Sequence, residues 1–97
     1  MANFDQLVKS NENVLVDFYA TWCGPCQTLN PILEEVKAEF GEHLRIVKID
    51  VDRHPKLASN LGVRGVPSLF FYKNGKLIKN TSGVLAKHEI LAIYSNH

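Results

Sequence analysis

Apolar residues recur along this chain in two rhythms, and the switches between them mark its elements. Phe4, Leu7 and Val8 share one helical face, with Asn3 placed to cap it and Ser10-Asn11 to end it. A short helix is expected there. Val14 to Ala20 is apolar at both parities except at Asp17, as in a strand buried on both faces. Leu29, Ile32, Leu33, Val36 and Phe40 return every three to four residues, which predicts a helix over 24–40. Pro31 lies inside it and is expected to kink it, and Gly41 to stop it. Leu44 to Val51, rich in β-branched residues, predicts a second strand. Its link to the first runs through a helix, so the two should be parallel with a right-handed crossover.

The second half continues in the same way. Pro55 suits a first helical position, and Leu57, Ala58 and Leu61 give a short helix that Gly62 ends. Val63 to Pro67 reads as a loop and Ser68 to Lys73 as a third strand. Asn74-Gly75 is a two-residue hairpin signal, so Lys76 to Thr81 should return antiparallel. After Gly83, residues 86–96 predict a closing helix with Ile90, Leu91, Ile93 and Tyr94 inward. The order implies an α/β three-layer sandwich: a mixed four-stranded sheet with helices on both faces. At 97 residues the chain reads as a single domain, 1–97.

Composition narrows the function classes. Charged residues make up 22% of the chain and the net charge is +1, with both signs scattered. No basic block suggests nucleic acid, and no apolar run approaches a membrane span. The segment starting Met1-Ala2-Asn3-Phe4-Asp5 has neither a basic nor an apolar leader region, so a cytoplasmic, reducing compartment is expected. In such a compartment two nearby cysteines point to redox catalysis or metal binding rather than to a structural staple.

Those two cysteines are Cys23 and Cys26, in Trp22-Cys23-Gly24-Pro25-Cys26. They sit where the first strand gives way to the long helix, whose first N–H groups lack internal partners. That end favours a negative charge, so it favours thiolate over thiol. Cys23, first at the helix mouth, is expected to be the more exposed and more acidic sulfur and to attack a substrate disulfide. Cys26, a turn further in, would then attack Cys23 and release the reduced substrate. Gly24 and Pro25 shape the turn and tune the disulfide. A metal site would need more ligands, and the four histidines are scattered. Asp17, alone in an apolar strand, should have a raised pKa; the other reading pairs it with Lys48 on the neighbouring strand. Trp22 is either core packing or, beside the helix mouth, an exposed platform for substrate; the second is expected.

Read together, the chain resembles the thioredoxin family over nearly its whole length. The resemblance rests on Val16-Asp17-Phe18, Trp22-Cys23-Gly24-Pro25-Cys26, Pro31-Ile32-Leu33, Lys48-Ile49-Asp50, Val63 to Ser68, Lys73-Asn74-Gly75 and Gly83. It implies the thioredoxin fold, with an edge strand around Ile46–Ile49 where the family usually has a further strand. It implies reduction of protein disulfides and a part in electron transport and redox homeostasis. No cofactor would be bound: the redox centre would be a Cys23–Cys26 disulfide. Electrons would come from an NADPH-dependent thioredoxin reductase, and the other partners would be disulfide-containing proteins. A lowered thiol pKa is already characteristic of that family.

By the same resemblance, Asp17 lies beneath Cys26 and moves its proton, with Lys48 tuning it; an ion pair with Lys48 and this proton-moving role do not exclude each other. The Val66-Pro67 bond should be cis and face the cysteines, so that Val66 can pair with an extended substrate. Gly65, Gly83 and Val84 would line the same groove, and Trp22, Val66, Pro67 and Val84 would form an exposed apolar patch. Gln27, Thr28, Asn30 and Ala86 depart from the residues common in the family. A monomer is expected, with association through the bare edge strand as the alternative. The competing readings are a redox-silent binding module that uses the same groove, and an oxidase or isomerase of the same fold.

Overall fold

The computed structural model describes residues 3–97; Met1 and Ala2, the start of the N-terminal segment read above, lie outside the described residues. The elements are α1 (Phe4–Val8), β1 (Asn13–Tyr19), α2 (Gly24–Phe40), β2 (Arg45–Asp50), α3 (Pro55–Asn60), β3 (Ser68–Lys73), β4 (Lys76–Ser82) and α4 (Lys87–Ser95). Each expected element is present, with ends displaced by a residue or two. A 3-10 turn over Gly41–His43, which the periodicity did not reveal, follows α2.

The local signals act as the residues suggest. Asn3 caps α1, its side-chain oxygen accepting from the Gln6 N–H at 3.0 Å. Gly41 ends α2 at φ +58°. Asn74 and Gly75 turn the β3–β4 hairpin at φ +52° and +81°, the pair of positive values a type I′ turn demands. α4 starts without a side-chain cap at Ala86; instead the Glu89 carboxylate accepts from the Ala86 N–H at 2.9 Å.

The sheet runs β2-β1-β3-β4. β1 and β2 are parallel; β3 is antiparallel to β1, and β4 to β3. The mixed sheet and the parallel first pair match expectation. β1 lies inside the sheet, and its alternation divides the core in two. Leu15 packs with Leu29, Leu33 and Val36 of α2, Phe71 of β3, and Ile90 and Tyr94 of α4. Val14, Val16 and Phe18 pack on the other face with Val8, Ala58, Phe70 and Tyr72. Asp17 shares the Leu15 side, so one carboxyl is driven into the layer beneath α2.

β2 is an edge strand, as the resemblance implied, and only Ile49 and Asp50 are buried in it. Arg45 and Lys48 stand exposed on it, charges that discourage edge-to-edge pairing. Phe71 is fully buried and meets the Tyr94 ring edge-on at 5.6 Å between centroids. Phe71→Ala should therefore cost about 3–5 kcal/mol. Denaturant unfolding checks this; a loss under about 1 kcal/mol would place the main core elsewhere.

Candidate active site

The strand-to-helix junction places both sulfurs. β1 ends at Tyr19, a short turn follows, and Cys23 becomes the N-cap of α2, with Pro25 in its first turn. The Cys23 sulfur accepts from the Cys26 N–H at 3.2 Å. Cys23 and Cys26 are joined as a disulfide, with their Cα atoms 5.3 Å apart. In the dithiol state that same N–H and the helix end would face a Cys23 thiolate, the species they stabilise.

Cys23 is not the exposed sulfur expected from its position. The two cysteines are 4% and 3% exposed. The reason is the loop before β3: the Val66 carbonyl oxygen lies 3.7 Å from the Cys23 sulfur, and Val66 packs against both cysteines. The Val66-Pro67 bond is cis, as the resemblance implied. Pro67 is buried, so it does not belong to an exposed patch. Of the residues expected in that patch, Trp22 is 70% and Val84 39% exposed, and Val66 is half-buried; Leu77, on β4, is exposed too.

The loop is held by contacts that the sequence did not announce. The Ser68 hydroxyl donates to the Gly65 carbonyl at 2.6 Å. The Gly83 N–H donates to the Pro67 carbonyl at 2.9 Å, which ties the start of the last segment to the cysteine-facing loop. A hollow of about 160 Å³ beside the disulfide is lined by Trp22, Val63, Arg64, Gly65 and Val66 among others. Gly83 and Val84 are not among its lining residues.

Trp22 does not pack in the core. Its indole N–H donates to the Asp52 carboxylate at 2.9 Å, while the Asp52 N–H donates to Asp50 Oδ1 at 2.9 Å. Two carboxylates, Asp50 at the end of β2 and Asp52 just after it, therefore fix a ring that is otherwise in water.

Asp17 is fully buried, and neither carboxyl oxygen has a hydrogen-bond partner among the described residues. Burial pushes its pKa up from 3.8 to about 6, with Lys48 pulling the other way. The two are register partners across β1 and β2. They do not form the ion pair that the sequence left open: the Lys48 ammonium donates instead to Asn30 Oδ1 at 2.6 Å and lies 4.9 Å above the centre of the Tyr19 ring. Asn30 and Asp52 are thus part of the site's surroundings. Sequence spacing could not find them, because their partners lie 18 and 30 residues away.

Among the described residues, no three His, Cys, Asp or Glu side chains gather as a metal site would require. What the arrangement can do is exchange one disulfide for another, and the strand that leads into the helix carries one buried carboxyl, Asp17.

Comparison with known proteins agrees with this geometry. The thioredoxin family model matches residues 1–96. Thioredoxin from Listeria monocytogenes is 44% identical over 89 residues, covering 92% of this chain and 85% of the Listeria protein. Chloroplastic thioredoxin Y from rice is 41% identical over 91 residues; the match takes in 93% of this chain but 54% of the rice protein. The solved structure of a mutant thioredoxin from Halobacterium salinarum superposes with a TM-score of 0.86 at 38% identity, over 98% of this chain and 83% of that one. The match is nearly end to end and both cysteines are in place, so the chain belongs to the thioredoxin family, the thiol–disulfide oxidoreductases that reduce protein disulfides through a cysteine pair.

Proposed function

We propose that this oxidoreductase works as a general reductant of protein disulfides, with Cys23 attacking and Cys26 resolving. One observation carries the assignment of roles: Cys23 is the N-cap of α2, and the Cys26 N–H points at its sulfur. In the dithiol protein, the Cys23 thiolate attacks one sulfur of a substrate disulfide. A Cys23–substrate bond forms, the substrate's own S–S bond breaks, and one substrate thiolate leaves and takes up a proton. The Cys26 thiol then gives its proton to Asp17, directly or through water, and its thiolate attacks the Cys23 sulfur. The mixed disulfide breaks, the second substrate thiolate leaves, and Cys23–Cys26 is left oxidised. Two electrons have passed to the substrate.

The surface supports a protein substrate. Trp22 offers a flat apolar ring held by Asp52, and the loop at Val66-Pro67 brings backbone to the sulfur. An extended chain can be held through main-chain bonds there, which gives affinity without strict sequence choice. Lys48 tunes the proton step, and Gly24 and Pro25 set the turn that closes the disulfide. The electron source is an NADPH-dependent thioredoxin reductase. A donor dithiol needs reducing surroundings to be restored, which supports a cytoplasmic location. The protein works as a monomer, with Arg45 and Lys48 guarding the free edge of β2.

The test is insulin reduction driven by NADPH and a thioredoxin reductase. Catalytic NADPH oxidation with precipitation of the reduced insulin chains is expected. Reductase turnover with no insulin reduced would overturn the role, as would a pair so oxidising that glutathione keeps it reduced.

A further inference from the structure

We propose that Asn30 is a positioning residue for the proton step. Its amide oxygen, together with the Tyr19 ring, holds the Lys48 ammonium at the rim of the site and keeps it from closing onto Asp17. The inference rests on the proton-accepting reading of Asp17 given above and goes beyond it.

The geometry poses a question that Asn30 answers. Asp17 and Lys48 are partners in a parallel register, so their side chains share the α2 side of the sheet. A lysine stem is long and flexible enough to fold back along its own strand. Both Asp17 oxygens lack hydrogen-bond partners among the described residues. An ion pair would be the obvious outcome, and it is absent.

The ammonium is engaged elsewhere. Asn30 lies four residues after Cys26 on α2, one turn further along the same helix, and its Oδ1 accepts from Lys48 at 2.6 Å. Lysine only donates, so the amide must present its oxygen. Tyr19, two residues after Asp17 on β1, sets its ring under the ammonium at 4.9 Å, a cation–π distance. Both partners are uncharged. The cation is fixed in place without being neutralised, so it still acts on Asp17 through space.

Of the other charged or titrating groups on this side, Asp50, two residues after Lys48 on β2 and beside Tyr19, accepts from the Asp52 N–H at 2.9 Å and lies 3.9 Å from the Arg53 guanidinium. Cys26 on α2 is in the disulfide, and Lys37 on α2 donates to the carbonyls of Gly41 and Leu44. Lys73 on β3 donates to the Tyr94 and His97 carbonyls, and Tyr94 on α4 donates to Val14. Glu34 on α2 lines the same surface groove as Lys48 and Asn30, and it forms no ion pair with Lys48 among the described residues.

The consequence concerns proton affinity. A direct ion pair lowers a carboxyl pKa by about one to three units and leaves a base that takes no proton near neutrality. Holding Lys48 at arm's length keeps Asp17 within the range where a thiol proton can be accepted. Asn30→Ala removes the anchor, while both oxygens of Asp17, the register partner of Lys48, have no hydrogen-bond partner among the described residues.

The experiment mixes reduced protein with the aromatic disulfide of 5-thio-2-nitrobenzoate in stopped flow and follows the second release of coloured thiolate across pH. Wild type and Asn30→Ala are compared, each with Lys48 intact and as Lys48→Met. Asn30→Ala should lower the pH midpoint of the second release by about one unit. In the Lys48→Met background it should move nothing. An unchanged or raised midpoint would overturn the proposal, and so would an equal shift without Lys48, which would mean that Asn30 acts by itself. Asp17→Asn serves as the control on the underlying reading. If it leaves the second release untouched, the proton role itself fails; if it slows that release while Asn30→Ala does nothing, only the positioning role fails.

Discussion

Cys23→Ser reduces no protein disulfide at any pH. A serine hydroxyl is scarcely ionised near neutrality and cannot form the mixed disulfide through which the electrons pass. Insulin reduction coupled to NADPH should fall to the uncatalysed background. Cys26→Ser should behave differently: the first attack proceeds, and the substrate then stays bound to Cys23, because no second sulfur is in reach to release it. The trapped adduct is read by mass spectrometry. Both variants should remain folded. The disulfide closes a loop of a few residues, for which the chain-entropy estimate is about 2 kcal/mol. The two main apolar clusters lie around Leu15 and Phe18 rather than at the sulfurs. A Cys23→Ser protein that kept full biological function would instead mark a binding module that makes no use of its cysteines.

Much of this is open to reading in the order of residues, and the division has a physical cause. Periodicity reports which face of an element is buried, so β1, α2 and the hairpin at Asn74-Gly75 can be placed from local pattern alone. The same pattern singles out Asp17, because a carboxylate in an apolar strand has to be buried. The disulfide is legible because its partners lie three residues apart at a strand-to-helix junction.

What pattern cannot supply is contact between distant segments. That Trp22 leans on Asp52, that Lys48 turns to Asn30 rather than to Asp17, and that Val66 covers Cys23 all depend on how loops from different parts of the chain meet. The exposure expected of Cys23 fails for the same reason: a helix mouth is open until another loop closes over it. The cis bond at Pro67 comes from the family resemblance, since most bonds before proline are trans.

Asp17→Asn should separate the two halves of the reaction and, in the same protein, alter stability in the opposite sense. An amide cannot take the Cys26 proton. The first attack, which needs only the Cys23 thiolate, should proceed at the wild-type rate. Release of the mixed disulfide near neutral pH should slow by about 10²-fold, the low end of what a positioned base contributes. The defect should shrink in alkali, where Cys26 ionises unaided.

Stability works the other way. The Asp17 pKa rises on folding from 3.8 to about 6, so the folded chain binds this proton more tightly than the unfolded one. Below the unfolded value the carboxyl is neutral in both states and costs nothing extra. As pH climbs from the unfolded to the folded value, the unfolded chain's carboxyl ionises while the buried one keeps its proton, so stability is lost. Above it the penalty is fully present, about 3 kcal/mol from a shift of roughly two units. Asp17→Asn should therefore stabilise the oxidised protein by up to that amount at neutral pH and lose the advantage in acid. The unpaired amide, which is also costly to bury, holds the gain below the full figure. Denaturant unfolding of both proteins across pH reads the difference directly. A gain independent of pH would mean that the carboxylate carries no ionisation penalty from its burial, and with it would go the reason to regard Asp17 as a base set close to its working range.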